Sequence, residues 1–234
     1  MQYINWLEVF KIICNRDKGS LKWGLPEPWI HAELFSALEK ISNLKNWIPF
    51  PDEVPYITYY PVQLPKITNR NWKKDGAIKY IDICFKSEDD KEWCWFEFKV
   101  RNTSYHNNQY KANLESRDAY KKDIVALIGF DYDLTADTWD KPDPYTKSYK
   151  YELLLREVSE KLRKGKHNFI SCYFHLEKKL DEKVWNEKNL REQIFNYFLY
   201  KNKQSLKKIT FPDIKIEYHI NFFKGKHSLI ICSW

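Results

Sequence analysis

The sequence contains two nearly apolar segments close together, YIDICF at residues 80–85 and WCWFEFKV at residues 93–100. Both are rich in the β-branched and aromatic residues that favour strands, and the polar residues 86–92 between them indicate a turn. Each segment also carries an acid among its apolar residues, Asp82 in the first and Glu97 in the second. The two segments therefore predict a β-hairpin that brings two carboxylates together.

Side chains alternate between the two faces of a strand, so Glu97 and Lys99 are expected on one face, with Trp93 and Trp95 before them. The same rule places Asp82 on one face of the first strand and three apolar side chains on the other: Ile81, Ile83 and Phe85. The predicted hairpin holds Asp82 beside Glu97, with Lys99 one step along the strand.

Helical and strand patterns surround the hairpin. The predicted helices cover residues 3–15, 28–44 (opening at Pro28), 116–127, 145–164 and 184–200, and further strands cover 168–176, 214–223 and 228–232. The Pro-rich and aromatic residues 49–72 predict turns with short extended pieces. This order of elements predicts an α/β fold in which a central mixed β-sheet is flanked by helices.

The composition fits one globular domain over residues 1–234, because 43% of the 234 residues are hydrophobic and 30% are charged. No apolar run approaches the roughly 20 residues that a membrane span needs. The first residues also lack the basic and apolar pattern of a secretory signal, so we expect a cytoplasmic location. The five scattered cysteines include no Cys-x-x-Cys pair, and they predict neither a disulfide framework nor a zinc site.

The net charge gives a weak indication of a polyanionic partner. There are 39 Lys+Arg and 32 Asp+Glu, and 39 − 32 gives +7. Basic side chains gather at residues 70–74, 161–166 and 201–208, where helix-end solvation explains many lysines and phosphate contact is the alternative. Four more basic residues follow the acidic strand and are candidates to flank a phosphate: Arg101, Arg117, Lys121 and Lys122.

A cation site would explain the acids in the apolar hairpin. Two carboxylates in such surroundings are costly unless their charge is compensated, and hard cations such as Mg²⁺ prefer oxygen ligands. A third acid, Glu33, falls on or beside the apolar stripe of the second predicted helix. That stripe consists of Ile30, Leu34, Ala37, Leu38 and Ile41.

The pattern Asp82…Glu97-x-Lys99, after a helix that carries Glu33, resembles the PD-(D/E)xK nuclease superfamily. The resemblance covers roughly residues 28–130, with 168–176 as a further core strand. It implies a restriction-endonuclease-like core at about 28–176, followed by an elaboration at about 177–234. It also implies that Asp82, Glu97 and the carbonyl of Phe98 bind Mg²⁺, for which Mn²⁺ substitutes, that Lys99 is catalytic, and that Glu33 completes the metal shell.

The sequence departs from the superfamily at three points, of which the first is a common variation and the two absent exonuclease-branch signatures favour an endonuclease of restriction or phage type over a helicase-associated exonuclease. Ile81 stands where Pro is common, and Gln109 is followed four positions on by Asn113 rather than Tyr. The iron–sulfur cysteine pattern is absent too. The resemblance therefore implies Mg²⁺-dependent hydrolysis of DNA phosphodiester bonds, and cutting both strands of a duplex makes a homodimer an expectation.

Other functions stay open at this point. Glu-x-Lys on its own is common on a solvent-facing strand, so the same fold also suits a non-catalytic nucleic-acid-binding or regulatory protein. A nuclease that acts on RNA, or on structured or single-stranded DNA, would carry the same residues. The residues of this pattern would contact only the phosphate and the metal, and base specificity depends on other contacts.

Overall fold

A computed structural model of the chain describes residues 5–16, 26–40, 47–49, 54–57, 78–87, 89, 91–101, 107–135, 164–176, 180–203, 209–221 and 227–234. The helices are α1 (Trp6–Arg16), α2 (Pro26–Lys40), α3 (Gln109–Thr135) and α4 (Glu187–Lys203). The strands are β1 (Trp47–Pro49), β2 (Val54–Ile57), β3 (Ile78–Ile81), β4 (Ile83–Ser87), β5 (Glu92–Arg101), β6 (Lys166–His175), β7 (Lys215–Asn221) and β8 (His227–Ser233).

Six of the strands form one mixed sheet in the order β1-β4-β5-β6-β8-β7. The central pair β5–β6 is parallel, with α3 between the two strands in sequence, and the other neighbouring pairs are antiparallel. The strands β2 and β3 form a separate antiparallel pair. The predicted α/β fold, with a central mixed sheet flanked by helices, is confirmed.

Both faces of the sheet are covered by helices. Phe10 of α1 and Leu34 of α2 belong to a core cluster with Phe96 and Phe98 of β5. On the other face, α3 and α4 pack through a second cluster, which includes Tyr120, Ile124, Ile194 and Phe198. A strand that is buried on both faces reads as a continuous apolar run rather than an alternating one, which explains the composition of β5.

Most of the predicted elements that fall on described residues are present with shifted ends. The helix predicted at 116–127 is longer in the structure, because α3 continues to Thr135 and takes in the first acids of the following segment. The helix predicted at 145–164 falls outside the described residues except at its last residue. Most of residues 49–72 also lie outside them, apart from Pro49 and β2. Within the parts of the chain that the structure describes, no helix combines the length and the apolar character of a membrane span.

The strict alternation predicted for the first strand is wrong at Ile81. Its side chain joins a cluster with Cys84 on the α3 side of the sheet, whereas Ile83 and Phe85 join the cluster on the α1 side. The reason is a bend at Asp82, which belongs to neither β3 nor β4. The bend ends the strand period, so β3 pairs with β2 outside the main sheet.

All five cysteines are buried free thiols. Burial raises the pKa of Cys232 to about 12, because a low-dielectric interior disfavours the thiolate. The same cause raises the pKa values of Cys84, Cys94 and Cys172 well above the ordinary range. At neutral pH these four groups act as small apolar side chains in the core.

Candidate active site

The bend at Asp82 places its carboxylate against the backbone of β5. The Oδ2 atom of Asp82 accepts a hydrogen bond from the backbone N–H of Phe98, with an N···O distance of 2.6 Å. Ile83 is paired with Phe96, so the bend lies opposite Glu97 in the ladder. The Asp82 carboxylate therefore binds the backbone N–H of the residue that directly follows Glu97. The bend thus lies beside Glu97 in the backbone register, and the Asp82 carboxylate is held at the next residue of β5.

Glu97 is a buried acid in the middle of β5, where its side chain is 8% exposed. Its Oε2 atom is shielded from solvent. Its neighbour across the parallel pair is Ser171 of β6, which is also buried. A carboxylate buried to this degree is costly unless hydrogen bonds or a nearby positive charge compensate its charge. Glu97 is therefore a candidate functional residue.

Lys99 forms an ion pair that joins β5 to α3. Its Nζ atom lies 3.1 Å from Oδ2 of Asp123, and the two side chains are 22% and 11% exposed. Sequence reasoning missed Asp123, although a signal was present. Asp123 lies three residues after Tyr120 and four before Leu127, both fully buried. It therefore lies on the core-facing stripe of α3, as Glu33 was expected to lie on the stripe of α2.

Glu33 lies at a different place in the molecule. Its Oε2 atom accepts a hydrogen bond from Nη1 of Arg16 at 2.9 Å, which ties α2 to α1. The helices α1 and α2 cover the face of the sheet that carries Phe96 and Phe98. Since side chains alternate along β5, Glu97 and Lys99 project toward the opposite face, where α3 packs. Glu33 is therefore held by Arg16 rather than grouped with the other acids.

The aromatic ring of Phe98 packs in the core, whereas its backbone lies at the candidate site. The ring is buried against Phe10 and Phe96, with centroid distances of 6.3 and 6.2 Å. The backbone lies between Glu97 and Lys99, with its N–H bonded to Asp82. The carbonyl that the resemblance assigns to the metal therefore belongs to a rigidly packed residue beside both acids.

Polar side chains gather toward the carboxyl ends of β5 and β6. Across this parallel pair Lys99 lies opposite Tyr173 and Arg101 opposite His175, and His175 is fully buried. The Tyr120 hydroxyl donates to the backbone carbonyl of Ser171 at 2.6 Å. Burial also raises the pKa of Tyr173, which keeps its phenol protonated. In α/β sheets, ligand sites commonly form at the carboxyl ends of parallel strands, and these polar side chains lie at that end of the β5–β6 pair.

The basic residues that follow β5 have separate roles. Arg117 is buried, and its Nη1 atom donates to the carbonyl of Val184 at 3.4 Å, so it packs α3 against the loop before α4. Lys121 donates to Asp118 at 3.1 Å and also lies over the ring of Tyr197. Lys122 is exposed and accessible to a ligand.

The oxygen donors at the bend fit a magnesium ion better than a zinc ion. Among the described residues, no group of three or more His, Cys, Asp or Glu side chains is placed to hold a metal. Mg²⁺ is commonly bound through one or two carboxylates together with water and substrate phosphates, whereas zinc takes three or four protein ligands. Asp82, Glu97 and the Phe98 carbonyl supply donors of the first kind. Glu33 as a further ligand receives no support from its position.

Comparison of the chain with protein-family models, with curated proteins and with solved structures finds no match. The resemblance to the PD-(D/E)xK superfamily therefore rests on Asp82, Glu97 and Lys99.

Proposed function

We propose that the chain is a Mg²⁺-dependent nuclease of the PD-(D/E)xK type, with a restriction-endonuclease-like core, that hydrolyses DNA phosphodiester bonds. The observation that carries the proposal is the 2.6 Å hydrogen bond from the Phe98 N–H to the Asp82 carboxylate. It holds the Asp82 carboxylate against the residue that lies between Glu97 and Lys99 on β5. Mn²⁺ is expected to substitute for Mg²⁺.

Asp82, Glu97 and the carbonyl of Phe98 would hold the cation. Once bound, Mg²⁺ screens the charge of the phosphate and makes a water molecule more acidic. The chain supplies the ammonium of Lys99, which has three donors. One of them is directed to Asp123 at 3.1 Å, and the others remain for the attacking water or for a phosphate oxygen.

Asp123 acts as a positioning residue for Lys99 in this proposal. A lysine side chain has four rotatable bonds, and ordering it costs up to about 2 kcal/mol of rotamer entropy. The ion pair with a nearly buried carboxylate on α3 holds the ammonium in one place before substrate binds. The helix thus prepares a catalytic group that the strand alone would leave mobile.

Asp123→Asn is expected to lower the cleavage rate about tenfold, because the ammonium loses its charged partner but keeps its own charge. Asp123→Glu should restore part of the rate. Lys99 should also become more reactive toward an amine-specific reagent, as measured by mass spectrometry of the labelled peptide. This labelling does not depend on cleavage.

Glu115→Gln is the control, because Glu115 lies exposed on the same helix and pairs with Lys111 at 3.9 Å. The control should leave both the cleavage rate and the labelling of Lys99 unchanged. If Asp123→Asn leaves the labelling of Lys99 as it is in the wild type, Asp123 does not position the ammonium.

The direct test of the proposed function is incubation of the purified chain with plasmid, linear duplex and single-stranded DNA. Cleavage is expected with Mg²⁺ or Mn²⁺ and should stop when EDTA is added. Gel electrophoresis distinguishes internal cuts from shortening at the ends. Failure to cut any of these substrates or RNA would favour a non-catalytic binding or regulatory protein on the same fold.

Two further expectations belong to this proposal. Cutting both strands of a duplex needs two active sites, or one site that acts twice, so we propose a homodimer on duplex DNA. The nuclease would work in the cytoplasm, where cysteine thiols stay reduced.

A further inference from the structure

The outer side of α4 exposes large apolar side chains. Leu190, Ile194 and Phe198 are buried on its inner side. Phe195 is 41% and Tyr200 is 58% exposed, and the two lie on opposite flanks of this inner side, because five positions turn an α-helix by about 140° net. Phe195 packs edge-on against Phe211 with a centroid distance of 5.1 Å, whereas Tyr200 projects furthest into solvent among these residues. A single exposed ring is common on protein surfaces, so the groups around Tyr200 decide whether it belongs to a contact surface.

Lysine ammonium groups lie over the tyrosine rings of this surface. The Nζ atom of Lys201 is 5.6 Å from the ring centroid of Tyr197 and 5.8 Å from that of Tyr200. From α3, Lys121 places its Nζ atom 5.3 Å from the Tyr197 ring. The two rings are stacked with centroids 6.4 Å apart. We call Tyr197, Tyr200, Lys201 and Lys121 the aromatic–lysine surface.

The end of a helix attracts lysines by itself, because the helix dipole favours positive charge there. That effect accounts for Lys203 in the last turn of α4. The helix dipole does not account for Lys121, which lies in the middle of α3 and reaches the ring of Tyr197. Lysines from two helices therefore reach the Tyr197 ring, and Lys121 also pairs with Asp118 at 3.1 Å, which leaves Lys201 as the lysine that contacts both rings.

We infer that the aromatic–lysine surface binds single-stranded DNA. A flat exposed ring stacks on an unpaired base, while lysines beside it neutralise the adjoining phosphates. Bases in a duplex are already stacked on one another, so Tyr200 would favour a segment without a complementary strand. The choice of DNA over RNA rests on the proposed nuclease function. Lys121 lies two residues before Asp123, so the same helix borders both this surface and the proposed site.

The test measures binding of a fluorescein-labelled oligo(dT) to the full chain by fluorescence anisotropy, in EDTA so that no cleavage occurs. The double variant Tyr200→Ala/Lys201→Ala should raise Kd about tenfold, through the loss of one stacked base and one phosphate contact. Its slope of log K against log salt should fall by about 0.7, as expected for one lost contact to a single strand. Tyr200→Phe should bind like the wild type, because the ring is kept.

The chain offers a matched control in Tyr110→Ala/Lys111→Ala. This pair has the same two residue types in the same order, and Tyr110 is 54% exposed at the start of α3. Lys111 pairs with Glu115 at 3.9 Å rather than lying over a tyrosine. The control removes the same charge and the same exposed ring, and it should leave Kd unchanged.

Several results would overturn the inference: equal loss of binding in the two double variants, no loss in Tyr200→Ala/Lys201→Ala, or tighter binding of duplex DNA or of oligo(U) than of oligo(dT). A dimer in sedimentation analysis that Tyr200→Ala/Lys201→Ala dissociates, together with no oligonucleotide binding, would assign the surface to a protein contact. Binding in EDTA does not require the acids at the bend. Intact binding without cleavage would therefore reject the nuclease chemistry alone, and cleavage without binding here would reject this surface alone.

Discussion

Glu97→Gln is expected to lower the rate of Mg²⁺-dependent DNA cleavage by at least about 10²-fold. The substitution keeps the size of the side chain and removes the negative charge that would hold the cation beside Asp82. Because Glu97 is only 8% exposed, a neutral amide should fit the same volume without unfolding the strand. The rate is measured on plasmid DNA under single-turnover conditions, and Mn²⁺ binding by electron paramagnetic resonance should weaken in parallel.

Glu92→Gln is the control for this substitution, because Glu92 is the first residue of the same strand. Its Oε1 atom lies 3.8 Å from Nζ of Lys166. Its side chain is 34% exposed, so loss of its charge should leave the cleavage rate within about twofold of the wild type. Unchanged circular dichroism and melting temperature would show that both variants fold. Cleavage by Glu97→Gln at the rate of Glu92→Gln would remove Glu97 from the active site.

Phe10→Ala is expected to lower the free energy of unfolding by about 3–5 kcal/mol, the usual cost of removing a buried phenylalanine ring. Phe10 is fully buried where α1 packs on the sheet. Its ring lies 5.2 Å from that of Phe174 and 6.3 Å from that of Phe98, by centroid distance. Truncation would leave a cavity under the strand that carries the acids. Urea unfolding followed by tryptophan fluorescence measures the change.

Phe195→Ala provides the comparison, because Phe195 is 41% exposed on α4 and loses less contact when it is truncated. We expect a loss of about 1 kcal/mol or less for this variant. Equal losses for Phe10 and Phe195 would mean that α1 does not pack on the sheet as described. The comparison tests the fold independently of any activity.

Much of the fold could be predicted because its signals are local. The apolar run of β5, the hairpin with β4 and the stripe of α2 follow from side-chain periodicity. Ile30 and Leu34 are fully buried on that stripe, as predicted. A period of two residues in a strand and 3.6 in a helix is imposed by backbone geometry, whatever lies above or below.

The errors occurred where local periodicity was interrupted or extended by tertiary contacts. Alternation carried through Asp82 predicts the wrong side of the sheet for Ile81, because the chain bends at Asp82. The bend is stabilised by a hydrogen bond to Phe98, sixteen residues away in sequence. The helix predicted at 116–127 is shorter than α3, which spans Gln109–Thr135 and packs against the sheet and α4 through residues such as Tyr120 and Ile124.

At the candidate site, Glu33 and Asp123 illustrate the same difference between local sequence signals and tertiary contacts. Both acids occur on or beside an apolar helical stripe, and the stripe pattern alone does not distinguish Glu33 from Asp123. Only the structure shows that α2 covers the α1 side of the sheet, where Arg16 binds Glu33, and that α3 covers the side of Lys99. A helical stripe tells which residues face a core, but not which face of the sheet that core covers.

The sequence by itself determined that two acids and a lysine stand in adjacent apolar strands, because strand period and residue order are properties of neighbouring residues. The tertiary structure alone decided that Asp82 bonds to the Phe98 backbone, that Asp123 holds Lys99, and that Glu33 belongs to another contact. These pairings join residues that are 16 to 24 positions apart, and they depend on where each helix crosses the sheet. The position of each helix on the sheet results from burial of the apolar surface of the whole chain. No short segment of sequence contains that information.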